Sequence, residues 1–295
     1  MDWQEELISL YLTICKYYEQ RLWIYCQRMS SHSNLSFKDE EVIVIYLFGI
    51  MKGHRNTKAI YNYTKNHLSH FFPDLKEYEG YNHRLNQIVD TFIPLIEEIQ
   101  KDFPIGNILS DIRLMDSMPI VLAKSKRSFK AKVAPELANK GYCASKDEYY
   151  YGVKLHILGL RNPNSLPIPD FIGLSSASEH DLTIFRQIEP YICNGEIYMD
   201  KAYHDNLLKI QAKEERNLDI YIPIKKKSGE LFLDTFDQWL STAISKIRQP
   251  IESLFNWLEE KTGIQKASKV RSYKGLMIHV FGRLAAGMMM LSTRS

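Results

Sequence analysis

The strongest constraint on the fold is the order in which hydrophobic periodicity changes along the chain. The first hundred residues carry helical spacing. Ser36 followed by Asp39 and Glu40 reads as a helix start, with the apolar run 42–51 behind it and Gly53 to close it. Residues 57–70 predict a second helix. After Pro73, residues 81–100 predict a third, with Leu85, Ile88, Val89 and Phe92 on one stripe and Pro94 placed to kink it. The texture changes at Phe103-Pro104-Ile105-Gly106. Residues 108–115, 149–160 and 168–175 then read as strands in series, an antiparallel meander. From there strands alternate with helices: helix over 181–192, strand over 196–200, helix over 206–216, strand over 218–224, then helices over about 236–248 and 250–261. Strands first in series and then interleaved with helices describe an α/β domain, a mixed sheet flanked by helices. The expected organisation is a helical region over 1–105 and this α/β domain over 106–295. The helical region fits a helix-turn-helix DNA reader or a dimerising bundle, and the pattern leaves both open.

Charge distribution says more than total charge. The formal net charge is only +3, but residues 124–132 hold five basic side chains and no acid, Lys124, Lys126, Arg127, Lys130 and Lys132. The last 55 residues hold nine Lys or Arg against three Glu. Basic surface gathered in two places is the footprint expected for a polyanion, and a merely solvated face is the alternative. The four cysteines, Cys15, Cys26, Cys143 and Cys193, include no CxxC pair, so neither a zinc knuckle nor a disulfide framework is indicated. Reduced thiols and an acidic start without signal-peptide features lead us to expect a cytoplasmic protein, nucleoid-associated when bound to DNA. The run 42–51 is too short to span a bilayer, and 275–291 is interrupted by His279 and Arg283, so no membrane partner is expected.

Three carboxylates stand where distant sequence can be gathered at one sheet edge. Asp116 closes the first predicted strand and Asp200 the fourth. If those strands are neighbours, the two acids face each other across a small gap. Glu252, at the edge of a stripe formed by Ile244, Ile247, Ile251, Leu254, Phe255 and Leu258, would complete a site for hard, oxygen-seeking cations. Arg248 lies one turn earlier, placed to contact a phosphate or orient the carboxylate. Two divalent ions about 4 Å apart would activate an attacking oxygen and stabilise a leaving one, with no nucleophilic side chain required. Each acid also has a plainer reading: Asp116 as a turn residue, Asp200-Lys201 as an exposed ion pair, and Glu252 in the first turn of a helix begun by Pro250. Lys154 and His156 share one strand face, where His156 could approach substrate phosphate or a metal-bound water, or be a satisfied structural histidine. His180-Asp181 reads as a helix cap, with metal binding as the alternative. Tyr149, Tyr150 and Tyr151 read as strand and core residues, and Tyr203 as an aromatic that could stack on an unpaired base.

Met115-Asp116-Ser117-Met118-Pro119, then Gly141-Tyr142-Cys143-Ala144-Ser145-Lys146 leading into Tyr150-Tyr151-Gly152-Val153-Lys154-Leu155-His156, resembles the catalytic core of DDE insertion-sequence transposases. Ser178-Glu179-His180-Asp181, Met199-Asp200-Lys201-Ala202-Tyr203 and Arg248-Gln249-Pro250-Ile251-Glu252 continue the likeness in the same order. Phe281-Gly282-Arg283-Leu284-Ala285-Ala286 resembles the closing helix, and Tyr81-Asn82-His83-Arg84-Leu85-Asn86 is similar to the insertion sequence 982 family. The resemblance implies an RNase H-like domain binding two magnesium or manganese ions through Asp116, Asp200 and Glu252. It implies nicking and strand transfer on double-stranded DNA at terminal inverted repeats, by a homodimer. Lys124, Lys126, Arg127, Lys130, Lys132, Lys154, Lys201 and Arg248 are the candidate DNA contacts. The sequence departs from the pattern at Ala202, where glycine is common, and at Ser245 and Glu259, where a broader group carries tyrosine and lysine. The rival expectations are a metal-dependent nuclease without strand transfer and a catalytically inactive DNA-binding protein on the same scaffold. Hydrolysis of small phosphate esters is disfavoured by the two basic segments.

Overall fold

The structure is a computed structural model that describes residues 2–28, 36–103, 109–143, 147–224 and 233–293. The expected boundary at 105/106, and Ala144-Ser145-Lys146 of the motif, lie outside the described residues. Internal contacts divide the chain into two compact units, Met1–Phe103 with Leu258–Ser295, and Pro104–Trp257.

The first unit begins with α1 (Trp3–Gln20), α2 (Asp39–Met51), α3 (Thr57–His67), α4 (Tyr78–Gln87) and α5 (Phe92–Lys101). Every residue of α2 from Val42 to Ile50 is buried, the signature of a helix surrounded by others. The residue before Asp39 is the cap: Lys38 donates its N–H to the Glu41 carboxylate at 2.7 Å, and Ser36 stays outside the helix. Gly53 closes α2 as expected, at φ 88° with its N–H on the Ile50 carbonyl at 2.9 Å. Asp39 is buried and accepts from Arg84 Nε and Nη2, both at 2.7 Å, and from Arg28 Nη2 at 2.5 Å. The helix predicted over 81–100 is two helices, parted by a 3-10 turn at Val89–Thr91. The break precedes Pro94, which therefore lies in the first turn of α5, where its missing N–H leaves no bond unmade.

The second unit is built on β1 (Leu109–Lys124), β2 (Asn139–Cys143), β3 (Glu148–Arg161), β4 (Ile168–Ser176), β5 (Gly195–Tyr198) and β6 (Leu218–Tyr221), with α6 (Asp181–Ile188) and α7 (Asn206–Arg216) between the later strands. The six strands form one sheet in the order β2-β3-β1-β5-β6, with β4 also on β3. The far edge of β3 is shared, residues 148–152 pairing with β2 and 153–160 with β4. β1, β3 and β4 are antiparallel, as the meander predicts, whereas β5 and β6 join parallel to β1. Gly195 enters β5 at φ 95°, and a Cβ there would lie 2.2 Å from the Asp111 carbonyl oxygen, so no other residue fits this approach. Met115, Leu158, Ile197 and Met199 from the sheet close a core with Phe185 and Ile188 of α6 and Ala212 of α7.

Sequence signals split 236–261 into two helices at Pro250, but the chain forms one helix, α8 (Thr235–Thr262), with the proline inside it. The apolar stripe explains the difference. Ile244, Ile251, Leu254 and Phe255 are buried on both sides of Pro250, and their packing outweighs the backbone bond the ring removes. The chain ends in α9 (Tyr273–Met277) and α10 (Arg283–Ser292), joined by a π-helical turn at Ile278–Gly282. Tyr273–Ser292 is long and apolar enough to cross a membrane by length and composition, and most of it is buried. Its α10 part packs on α2 and α5.

The Asp39 cluster generates the first prediction. Asp39→Ala leaves the buried Arg84 and the partly buried Arg28 without their counter-charge, which is expected to destabilise the protein by about 3–5 kcal/mol. Chemical denaturation of wild type and variant measures this, and a loss under about 1 kcal/mol would mean that neighbouring carbonyls carry the arginines.

Candidate active site

The parallel pairing of β1 with β5 sets the site. Ile112 registers with Glu196, Arg113 with Ile197 and Leu114 with Tyr198. Two residues further on, Asp116 and Asp200 leave the pair side by side. β5 has ended there, and Asp200 caps a 3-10 turn at Lys201–Tyr203, its Oδ1 accepting the Lys201 N–H at 2.6 Å. β1 continues along β3, so Asp116 stays on rigid strand opposite Ile157, its Oδ1 accepting the Ser117 N–H at 2.8 Å.

Helix α8 supplies the rest from one face. Arg248 and Glu252 are a turn apart, and one guanidinium bridges two acids: Nη1 donates to Asp116 Oδ2 at 2.8 Å and Nη2 donates to Glu252 Oε1. Asp116 and Glu252 thus stand a guanidinium's width apart. Burial raises the Asp116 carboxyl from its ordinary 3.8 to about 6, against the pull of Arg248 and the Ser117 N–H; the Asp200 charge adds to the rise. Burial works against the Arg248 charge as well, but the fields of Asp116, Glu252 and Asp200 outweigh it and hold the guanidinium above its ordinary pKa. All three acids therefore act on one cation.

A further layer fixes the strand bearing Asp116. Ser117 Oγ donates to Asp181 Oδ2 at 3.2 Å, and Lys154 Nζ donates to Asp181 Oδ1 at 3.0 Å and to the Glu179 carbonyl at 2.7 Å. His180 caps α6 as expected, its Nδ1 accepting the Leu182 N–H at 3.3 Å. Asp181 is the site residue that the sequence reading missed. Its signal was present in Ser178-Glu179-His180-Asp181, but the capping role of the histidine explained the motif without it.

The other candidate residues fall in different places. Lys124 ends β1 at 3.9 Å from Glu148, and Lys126 and Arg127 sit in the following 3-10 turn, Ser125–Phe129. With Lys130 and Lys132 they form an exposed basic segment. At about 3.3 Å per residue it begins roughly 25 Å along the strand from Asp116. Lys201 is exposed beside Asp200. Lys154 is engaged by Asp181, and His156 is fully buried on Ser175 Oγ at 2.8 Å, burial lowering its pKa to about 4. Tyr203 cannot stack on a base: it is 1% exposed and packs edge-on against Phe185. Tyr150 and Tyr151 are core residues, but Tyr149 is exposed, tilted against Tyr142, with Lys140 Nζ 4.4 Å from its ring centre.

Three carboxylates make a donor set of hard oxygens suited to magnesium or manganese. As the side chains stand, no three acidic, histidine or cysteine residues among the described residues converge closely enough to hold an ion, because Arg248 spans two of the acids. Glu252 is half-exposed and can swing, so the set fits a cation that takes over the charge Arg248 now balances.

A family model described as the transposase DDE domain matches residues 108–289, well over half of the chain. No curated protein and no solved structure matches it.

Because the folded Asp116 pKa lies above its ordinary value, folding takes up a proton between about pH 4 and pH 6. Stability falls as pH rises through that window, and the full cost is present above it. Asp116→Asn is expected to flatten this slope and to raise Tm at pH 7 in metal-free buffer. Thermal unfolding from pH 4 to 8 checks it; a slope unchanged by the substitution would assign the proton to another group.

Proposed function

The chain belongs to the transposase DDE domain family, and from that membership we propose that it nicks DNA at the terminal inverted repeats of an insertion sequence and joins the freed strand to a target. The observation that carries this reading is the β1–β5 register, which brings Asp116 and Asp200 to one edge while Arg248 ties Glu252 to the same place. An antiparallel trio of strands continued by two parallel ones, with helices between, supports an RNase H-like domain. The motif at residues 81–86 supports the insertion sequence 982 group.

Asp116, Asp200 and Glu252 would hold two magnesium or manganese ions, which supply activation of the attacking oxygen and stabilisation of the leaving one. The chain's own residues do the positioning. Asp116 is held on a strand paired with β3 at Asp116 itself and with β5 up to Leu114, so its carboxylate has little freedom. Ser117, Asp181 and Lys154 lock that strand to β3 and α6. Arg248 offsets part of the acids' charge when they stand without a cation and is freed to bind a phosphate oxygen of the substrate when a cation takes its place. Lys201 offers a second positive charge beside Asp200, and the basic segment from Lys124 to Lys132 follows the DNA backbone away from the cut. A homodimer acting on paired ends in the cytoplasm completes the proposal.

Purified protein incubated with DNA carrying the element's ends tests it. We expect nicks at the element boundary and joined products with magnesium or manganese, and none in EDTA. Asp116→Asn, Asp200→Asn and Glu252→Gln should each lower the nicking rate by roughly 10²–10³-fold or more. Nicks without joined products would leave a nuclease. Binding without cleavage under either metal would leave an inactive DNA-binding protein, with Arg248 as the permanent partner of its acids.

A further inference from the structure

The helical unit contains a cavity of about 440 Å³ bordered by Arg55, Lys58, Lys269, Arg271 and Arg283, and by no carboxylate. Their contacts are not to acids. Arg55 donates to the carbonyls of Lys261 at 2.6 Å and Glu260 at 2.7 Å, Lys58 lies 5.0 Å from the Tyr78 ring centre, and Arg271 donates to the Ser268 carbonyl at 2.8 Å. Lys58 is also in the first turn of α3, where the helix dipole disfavours a cation; α1 and α2 carry acids in that turn and α3 has none.

Arg283 is the strongest sign that something negative belongs here. It is 3% exposed. Its Nη1 donates to the Thr262 carbonyl and its Nη2 to the Arg55 carbonyl at 2.6 Å, while Nε has no partner among the described residues. Burial lowers its pKa below the ordinary guanidinium value; Tyr46 and Glu259 favour the charge, but Tyr46 is a neutral phenol and Glu259 is paired with Lys266 at 3.1 Å. A buried cation facing a cavity walled by further cations lacks its counter-ion.

The motif Tyr81-Asn82-His83-Arg84-Leu85-Asn86 now divides by face. Tyr81 and Arg84 are buried away from the cavity, whereas Asn82 and Asn86, one turn apart on α4, border it together with the buried Leu85 between them. Asn86 Nδ2 donates to the Asn82 carbonyl at 2.7 Å, which orients its side-chain oxygen. The cavity is much larger than one phosphate, and Lys58, Lys269 and Arg271 are exposed around it, so its charge is spread as a polymer of phosphates requires rather than focused as a single small anion requires.

We propose that this cavity seats the backbone phosphates of duplex DNA, giving the protein a DNA attachment that needs neither the three carboxylates nor a divalent ion. The inference rests on the reading that the chain acts on DNA.

Equilibrium binding to a labelled duplex of the element's end, in EDTA and across a salt series, tests it. Lys58→Ala, Lys269→Ala and Arg271→Ala should each lower the slope of log affinity against log salt by about 0.9, and the triple variant should bind roughly tenfold more weakly or worse. The charge-conserving set Lys58→Arg, Lys269→Arg and Arg271→Lys should restore binding, and unchanged Tm values would show that all variants fold. Asp200→Asn, which removes a negative charge, should bind at least as tightly as wild type. Wild-type protein that binds no duplex at all would sink the transposase reading and this inference together. Wild-type protein that binds and nicks, beside a triple variant with the same affinity and slope, would sink this inference alone. Thermal stabilisation by inorganic phosphate that Lys269→Ala abolishes, with DNA binding unaltered, would make the cavity a free-anion site and overturn it as well.

Discussion

The pairing of Asp116 with Arg248 is the interaction on which the catalytic half of this protein depends. Burial alone opposes a charge on Asp116, and the neighbouring Asp200 opposes it further. A carboxylate in that position must be neutralised by a proton or a cation. Arg248 supplies the cation, and by reaching Glu252 with its other nitrogen it draws the third acid into the same field. The folded chain therefore carries a concentration of negative charge that a single guanidinium balances incompletely. Such a cluster costs stability and is favoured only where its charge is used, which is why strongly shifted carboxylates gather at functional sites.

The three acids differ in how firmly they are held, and the difference follows from their elements. Asp116 lies on a strand with neighbours on both edges. Asp200 lies where β5 gives way to a single 3-10 turn. Glu252 rides on an exposed helix face, half in solvent. A rigid first acid, a second at a turn and a half-exposed third would let a metal site be assembled on this scaffold without strain in the sheet. The Ser117–Asp181–Lys154 chain serves the rigid end, since it braces the residue next to Asp116 rather than the flexible partners.

How much of this was legible in the sequence depends on whether the deciding force was local. Asp200 follows the end of β5 as expected, but Asp116, read as closing a strand, lies inside β1, which runs on to Lys124 because it stays paired with β3; and their adjacency hung on pairing between strands some eighty residues apart, which no local pattern fixes. Pro250 misled because a proline is a strong local stop signal, whereas the stripe from Ile244 to Phe255 is a packing signal that runs straight through it. Tyr203 misled for the opposite reason: its place beside Asp200 suggested solvent, and only the arrival of Phe185 from α6 shows that it is core. β2 is five residues long and paired on one edge, too little alternation to stand out. The cationic cavity was invisible because Arg55 and Lys58 are separated from Lys269 and Arg271 by some two hundred residues, and the Tyr81–Asn86 motif reads as one string although its residues serve two faces.

The two charged regions make opposite demands on a polyanion. A phosphate can enter the cavity bordered by Lys58, Lys269 and Arg271 directly, since every charge there attracts it. It cannot approach Asp116, Asp200 and Glu252 on the same terms, because three carboxylates repel it unless cations intervene. On the proposed reading, attachment and chemistry would be governed by different ions: attachment by the monovalent salt that competes for the backbone, chemistry by divalent ions that reconcile carboxylate with phosphate. On that reading such a division would let the chain hold DNA before metal arrives, with Arg248 offsetting part of the acids' charge in the meantime.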